Sequence, residues 1–156
     1  MDTELQDKLF LKHQLIFGQK DKPATETAMC WGIECGDGWY NIIDTLCSLI
    51  QHTIDKAKED VERYTELLKD QTLSAYTREA YTSRLMTAKE FPEKIQATQV
   101  KEKFGTLRFY TDAWHPIIDA YITFAENMSE TTCEICGSPG AINDGGWLTV
   151  RCKQHE

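Results

Sequence analysis

Four side chains near the C-terminus have the types and the spacing of a metal site. Cys133 and Cys136 form one C-x2-C pair, and Cys152 and His155 form a second pair after 15 intervening residues. Zinc binds four thiolate or imidazole ligands at tetrahedral angles, and each short pair presents two of them to one ion. We therefore predict one structural zinc ion (Zn) per chain, because four protein ligands leave no open position for catalysis.

The residues around these ligands favour a compact knuckle. Gly137 directly follows the first pair, where a tight sulfur-binding turn favours glycine. Turn-forming residues at 139–140 and 145–146 bracket a short hairpin, and Trp147 is predicted to cover the site. Binding of a structural zinc ion would also explain how so short and polar a segment folds.

Three further cysteines, Cys30, Cys35 and Cys47, have no comparably specific spacing. In a reducing compartment they are expected to be free thiols that pack in the interior. A second metal site and a redox pair are the alternatives to this interpretation.

The segment Cys35-Gly-Asp-Gly-Trp-Tyr40 combines two glycines with two aromatic residues at a predicted helix start. Free N–H groups at a helix N-terminus attract anions, and glycine lets a ligand approach the backbone. Gly36, Asp37, Gly38, Trp39 and Tyr40 are therefore candidate ligand-binding residues. The alternative is structural, with Asp37 capping the helix and Trp39 in the core.

A second candidate surface is the segment from Val100 to Tyr110. Lys101 and Lys103 share one face of a predicted strand, and Arg108 on the next strand is expected to join them. Together they would offer a basic fork for phosphate or carboxylate, with Tyr110 as an aromatic neighbour. The alternative is a charged outer sheet face that pairs with the acidic helices.

The pattern along the chain predicts an α+β fold. Apolar spacing indicates helices over 3–16, 37–69, 75–91 and 114–128, two antiparallel strands within 95–111, and a loop over 18–36. On the last helix the predicted buried side comprises Ile117, Ile118, Tyr121, Phe124 and Ala125. The second and third helices are expected to form a long antiparallel hairpin, residues 49–91, that projects from an α+β body of residues 1–130. Residues 131–156 are then a zinc ribbon or knuckle packed on that body.

The charge of the chain restricts its partners. The net charge is −8, which disfavours general affinity for nucleic acid and for anionic membrane surfaces. The N-terminal segment is acidic and lacks an apolar core, so we expect a cytoplasmic protein without a secretory signal. Within residues 130–156, two basic residues face four acidic ones, which weakens the case for a nucleic-acid-binding ribbon.

Four segments carry a resemblance to known proteins. They occur in the order Gly-Asp-Gly-Trp-Tyr at 36–40, Val-Lys-Glu-Lys-Phe-Gly-Thr-Leu-Arg-Phe-Tyr at 100–110, Ala-Glu-Asn-Met-Ser at 125–129, and Thr-Cys-Glu-Ile-Cys-Gly-Ser-Pro-Gly at 132–140. The order resembles a family of small uncharacterised bacteriophage and prophage proteins, over residues 30–50 and 95–156. The resemblance implies a viral accessory protein in the host bacterial cytoplasm and assigns no activity.

These observations favour a non-enzymatic protein that counteracts host defence by binding. Its partner would be a small anionic, nucleotide-like signal or a host defence protein, with homo-oligomerisation left open. One alternative is a small hydrolase that acts on a phosphate or amide through His115, Asp37 and Asp119. The other is a nucleic-acid-binding zinc-ribbon regulator.

Overall fold

The computed structural model describes residues 1–143 and 145–156, and over them the chain has the α+β fold that the sequence predicts. The helices are α1 (Thr3–Lys12), α2 (Tyr40–Leu67), α3 (Ala75–Lys89) and α4 (Pro116–Ser129). The strands are β1 (Ile33–Glu34), β2 (Ala97–Lys103), β3 (Thr106–Thr111), β4 (Ala141–Asn143) and β5 (Thr149–Arg151). Short 3₁₀ helices occupy Ala28–Trp31 and Asp37–Trp39.

The first three strands form one sheet in the order β1-β2-β3. β2 and β3 pair antiparallel around a tight turn at Phe104 and Gly105, which confirms the predicted strand pair within 95–111. Both turn residues have positive φ, 54° and 82°, as expected for a two-residue hairpin turn whose twist matches that of the strands. β1 lies parallel to β2, with Ile33 opposite Val100.

The strand β1 corrects the prediction that residues 18–36 are loop. Two residues are too few to show the alternation from which a strand is recognised. Their pairing partner also lies far along the chain, so no local pattern indicates the parallel contact.

Two helix boundaries also differ from the prediction. The first helix ends at Lys12 rather than at residue 16, and α2 begins at Tyr40 rather than at Asp37. Asp37 does not cap α2, because its carboxylate accepts a hydrogen bond from the backbone N–H of Asp2 at 2.6 Å. The start of α2 is therefore tied to the N-terminal segment.

The hydrophobic core lies between α2 and the inner face of the three-stranded sheet. α2 contributes a continuous buried stripe of Ile43, Leu46, Cys47, Ile50 and Ile54. The sheet contributes Val100, Leu107 and Phe109, each at most 2% exposed. Burying one such side chain contributes about 1.5–3 kcal/mol, so this contact is a major stabilising term.

Helix α4 runs along the outer edge of β3 and satisfies its backbone. Ser129 Oγ accepts a hydrogen bond from the N–H of Leu107 at 2.9 Å, and Glu126 Oε1 accepts one from the N–H of Phe109 at 3.1 Å. Side chains of the helix thus occupy donors with which another strand would pair.

The buried side of α4 is narrower than predicted. Ile118 and Ala125 are 1% and 5% exposed, but Ile117 and Phe124 are 45% and 65% exposed. The helix packs against β3 and α2, and the predicted apolar face extends beyond both contacts.

Helix α3 packs on the C-terminal half of α2 and has no buried residue of its own. The contacts follow an antiparallel order, since Arg78 donates to the carbonyl of Leu68 and the ring of Tyr81 lies 5.7 Å from that of Tyr64. The projection of this helix pair from the body stays a prediction. None of the helices within 1–143 and 145–156 has the length and apolar character needed to cross a membrane.

A cluster of charged side chains joins the end of α1 to α2. Lys12 Nζ lies 2.7 Å from one carboxylate oxygen of Asp44, and His13 Nε2 lies 2.6 Å from the other. Burial alone would raise the pKa of Asp44, but the hydrogen bonds from Lys12 and His13 outweigh it and lower the pKa. The ionised carboxylate is therefore stabilised in the folded protein.

Replacing this carboxylate is expected to destabilise the protein in a pH-dependent way. Asp44→Asn should lower the free energy of unfolding at neutral pH by about 1.5–3 kcal/mol, as for hydrogen bonds to a charged group. Because the folded-state pKa is lowered, the stabilisation is present above the ordinary value of 3.8 and is lost as the pH falls through the folded value.

Urea denaturation of wild type and variant at neutral and acidic pH measures this difference. Asp55→Asn is the control, because Asp55 lies on the exposed side of α2 and binds only Gln51 in the same helix. A loss of stability in Asp44→Asn that stays constant into the acid range would contradict the prediction.

Candidate metal centre and its docking platform

The four predicted metal ligands converge at one point. The Sγ atoms of Cys133, Cys136 and Cys152 and a ring nitrogen of His155 all lie within 4.8 Å of one another. Cys136 Sγ is 3.7 Å from Cys152 Sγ, and His155 Nδ1 is 3.5 Å from Cys133 Sγ. Nδ1 is therefore the nitrogen that faces the cysteines.

These separations fit a single tetrahedral ion. With metal–sulfur bonds of about 2.3 Å and a metal–nitrogen bond of about 2.0 Å, tetrahedral angles place sulfurs about 3.8 Å apart and sulfur and nitrogen about 3.5 Å apart. The observed distances agree with both values. The quartet can therefore hold one metal ion through four protein atoms.

Local backbone structure positions each half of the quartet. In the first half, the N–H of Gly137 donates to the carbonyl of Cys133 at 2.8 Å, and Gly137 has φ 75°, which glycine adopts without strain. In the second half, the N–H of His155 donates to the carbonyl of Cys152 at 2.8 Å. The hairpin of β4 and β5 connects the two halves.

The electrostatic environment favours the thiolate form of two of the three cysteines, Cys133 and Cys136, whereas the pKa of Cys152 is raised. Burial disfavours ionisation of Cys133, but backbone N–H groups of Cys136, Cys152 and Ile135, together with the His155 ring, lower its pKa to about 6. Hydrogen bonds from Ser138 lower the pKa of Cys136. Both effects stabilise negative charge on sulfur before any metal is considered.

The first cysteine pair docks on the segment Gly36–Trp39. The N–H of Gly38 donates to the carbonyl of Glu134 at 2.8 Å, and Trp39 Nε1 donates to the carbonyl of Thr132 at 2.9 Å. A Cβ atom on Gly38 would lie only 2.1 Å from the carbonyl oxygen of Cys133. We call Gly36–Trp39 the docking platform.

Glu134 connects the platform to the rest of the C-terminal segment, residues 131–156, which we call the metal segment. Its carboxylate accepts from the N–H of Gly36 at 2.9 Å and from Arg151 Nη1 at 3.0 Å. Its backbone N–H donates to the carbonyl of Val150 at 3.1 Å. The sequence does not reveal this role, because an acidic residue between two cysteines carries no local signal of a distant partner.

The platform differs from the anion site predicted for it. The N–H groups of Gly36 and Gly38 bind Glu134, and Trp39 is fully buried, so neither glycine offers a free donor there. Asp37 binds the N-terminal segment, and Tyr40 is half-buried. Ligand binding at these residues stays a prediction, without the backbone donors on which it relied.

The predicted basic residues of the sheet do lie on one face. Lys101 is the cross-strand partner of Arg108, and Gln99 is the partner of Tyr110, so all four project to the side opposite the core. Arg108 is half-buried, and its Nη1 donates to Thr106 Oγ1 at 2.6 Å. We call this surface the outer sheet face.

Charges near the outer sheet face are mixed. Lys103 is exposed, and its Nζ lies 5.3 Å from the centre of the Phe104 ring. Arg108 Nη1 lies 3.9 Å from Glu126 of α4, and Glu34 of β1 is the neighbour of Lys101. The face therefore has both the basic groups of the predicted ligand site and acidic groups that partly neutralise them.

Trp147 does not cover the metal site as predicted. Its side chain is 77% exposed, so it is not packed against the ligands. The quartet is shielded instead by the docking platform, which leaves Cys133 fully buried and Cys136 exposed.

The remaining cysteines behave as interior thiols. Burial raises the pKa of Cys35 to about 12, and it also raises the pKa of Cys47. Cys30 is half-buried, and its Sγ lies 3.2 Å from the carbonyl of Thr27. The buried thiols of Cys35 and Cys47 are therefore poor nucleophiles, which fits the packing interpretation.

The three residues predicted for the alternative hydrolase site lie in different structural settings. His115 caps α4 by accepting from the N–H of Ile117 through Nδ1 at 3.3 Å, and its ring lies 4.0 Å from Phe91. Burial lowers the pKa of His115. Asp119 follows one turn later in α4, while Asp37 belongs to the docking platform.

Comparison of the chain with protein-family models, with characterised proteins and with solved structures gives no match.

The close approach at the platform gives a testable expectation. Gly38→Ala places a methyl group against the carbonyl of Cys133 and the backbone N of Gly137, 2.4 Å away, and neither backbone can yield freely. We expect the free energy of unfolding to fall by about 3 kcal/mol or more, as for severe overpacking.

Gly145→Ala is the matched control, because a Cβ there meets nothing within 4 Å. Chemical denaturation followed by tryptophan fluorescence compares the two variants, and Trp39 reports on the platform itself. Equal stability of the two alanine variants would refute the proposed packing role of Gly38.

Proposed function

We propose that this chain is a non-enzymatic binding protein whose C-terminal segment is fastened to the body by one structural zinc ion. The observation that carries the proposal is the quartet of Cys133, Cys136, Cys152 and His155 at tetrahedral separations. Three thiolates and one imidazole are the soft donor set that zinc prefers in closed structural sites. With all four positions filled by protein, the ion has a structural role.

The proposed zinc ion would stabilise a segment with little core of its own. Between residues 130 and 156, Cys133, Val150 and Cys152 are the buried apolar residues in the described part of the chain. Metal binding can supply on the order of 10 kcal/mol to the folding of such a segment. Platform contacts through Glu134 then transmit this stabilisation to the start of α2.

Purified protein is expected to contain one zinc ion per chain, measured by elemental analysis of material never exposed to chelator. Cys136→Ser should abolish stoichiometric zinc and unfold residues 131–156, because one of the four ligands is lost. Cys30→Ser is the control, since Cys30 lies outside the quartet, and it should retain full zinc content.

Amide hydrogen exchange reports on the C-terminal segment in each variant. Less than half an equivalent of zinc in wild type, or a Cys136→Ser protein with full zinc content and unchanged protection, would contradict the structural assignment.

The biological role that we propose is a bacteriophage or prophage accessory protein that counteracts host defence in the bacterial cytoplasm. The resemblance of four sequence segments to phage proteins supports this role. A small anionic, nucleotide-like signal is the first proposed partner, bound on the outer sheet face. The cross-strand pair of Lys101 and Arg108 supports it, because two cations on one face attract phosphate despite the net charge of −8.

A host defence protein is the second proposed partner, and it would be bound by α2 and α3. The charged residues on the outer side of α2 support this alternative, because they lie at the protein surface. They form ion pairs within the helix, such as those of Lys56 with Glu59 and Asp60. The hydrolase and nucleic-acid alternatives have less support, since His115 caps a helix and the metal segment is acidic.

Calorimetry with a panel of linear and cyclic nucleotides tests the first partner. Lys101→Ala should weaken binding by about ten- to a hundredfold, the loss expected for one hydrogen bond to a charged group. Lys56→Ala on α2 is the control and should leave the affinity unchanged. Lys101 is preferable to Arg108 for this test, because Arg108 also bonds Thr106 and its removal risks the sheet.

Binding that Lys101→Ala does not weaken would locate the ligand elsewhere. If no nucleotide binds the wild-type protein, the small-ligand role fails and the protein-partner role is favoured. Neither outcome bears on the zinc assignment, which the metal analysis tests separately.

A further inference from the structure

An apolar groove lies between the N-terminal half of α2 and helix α4. It encloses about 250 Å³, with Leu46 and Ala125 among its buried lining residues. Leu49, Phe124 and Met128 also line it and are 39%, 65% and 43% exposed. None of the described residues that line the groove is charged.

This surface is unusual for the chain that carries it. Charged residues make up 27% of the sequence, and the opposite half of α2 bears a dense set of them. The apolar spacing of α4 predicts that Phe124 is buried, yet its ring projects beyond the contact with α2 and β3. Neighbouring exposed apolar side chains that surround a recess are a common feature of interaction sites.

The same face presents both a projecting ring and a recess. Phe124 is 65% exposed and borders the groove, so one copy carries a knob and a hole side by side. A two-fold axis through such a face would insert the ring of each copy into the groove of the other. The groove is large enough, since a cavity of about 150 Å³ already accommodates benzene.

The net charge of the chain and the uncharged groove favour a second copy over a charged partner. Two copies with a net charge of −8 each repel one another, and an uncharged face is where they can approach most closely. A basic partner would instead be drawn to the acidic surfaces of α2. Interfaces between identical subunits are also more apolar than those of transient complexes.

We call the apolar surface around this groove the α2–α4 face. We propose that it forms a symmetric homodimer in which Phe124 of each copy fills the groove of the other. The dimer is independent of the metal centre and of the outer sheet face. Its stability rises with salt, because salt screens the repulsion between two acidic chains and strengthens apolar burial. An interface with a basic partner would weaken with salt.

Sedimentation velocity over a range of protein concentrations, at low and high sodium chloride, tests the dimer. Wild type should show a reversible monomer–dimer equilibrium that salt shifts toward dimer. Phe124→Asp should weaken association by at least about thirtyfold, the effect of losing a central aromatic anchor. Tyr76→Asp is the control, because Tyr76 is an 84% exposed aromatic on α3, outside the groove.

A second variant tests the groove without adding charge. Thr45 is exposed and lines the groove, so Thr45→Trp should fill the recess and prevent insertion of the ring. Circular dichroism and zinc content of both variants should match wild type, since neither Thr45 nor Phe124 is buried.

Mixed samples of isotope-labelled and unlabelled protein supply direct contacts. Filtered nuclear Overhauser spectra should show the Phe124 ring of one copy close to the methyl groups of Ile42 and Ala125 of the other. A wild-type protein that stays monomeric at every concentration would overturn the proposal, as would a dimer that persists unchanged in Phe124→Asp and Thr45→Trp.

Discussion

The backbone of Gly38 lies directly against the backbone of Cys133, Cys136 and Gly137. A side chain at Gly38 would collide with the carbonyl of Cys133, so the contact exists only because that position lacks a Cβ. Through it, the N–H of Gly38 reaches the carbonyl of Glu134, and the buried indole of Trp39 reaches that of Thr132. The contact joins a polar C-terminal segment to the residues that begin the central helix and enter the hydrophobic core.

The side chain of Glu134 stabilises this contact from both sides. A carboxylate with so little exposure is costly unless its oxygens are satisfied. One oxygen accepts from Gly36 and the other from Arg151, which belongs to the second half of the metal segment. The same side chain therefore holds the platform on one side and the β4–β5 hairpin on the other. In the proposed zinc-bound state, metal binding and docking reinforce each other, since both require the first cysteine pair in one conformation.

With the platform occupied in this way, the molecule has two contrasting free surfaces. The outer sheet face concentrates Lys101 and Arg108 in an acidic chain, although Glu34 and Glu126 lie close to them. The α2–α4 face is uncharged and apolar. The two proposed partners differ accordingly: an anion for the first surface and a copy of the same apolar face for the second.

Sequence by itself determined the features that depend on residues close together in the chain. The spacing of Cys133, Cys136, Cys152 and His155 predicted the candidate metal quartet. Each pair is a local turn, and the four ligand atoms meet once the two turns come together. Alternation around Gly105 identified β2 and β3, and the 3.6-residue period identified the buried stripe of α2. In each case a short-range pattern specifies the geometry.

Tertiary structure alone decided the features that depend on distant neighbours. The glycines of the docking platform have the composition of an anion site, and only the approach of Glu134 shows that their N–H groups are occupied. Two residues of β1 become a strand because β2 lies beside them. Phe124 follows the apolar period of α4, yet it is exposed because α2 and β3 cover only part of that face. The spacing of apolar residues shows which side chains share one side of a helix or strand. Their burial depends on the elements that pack against that side.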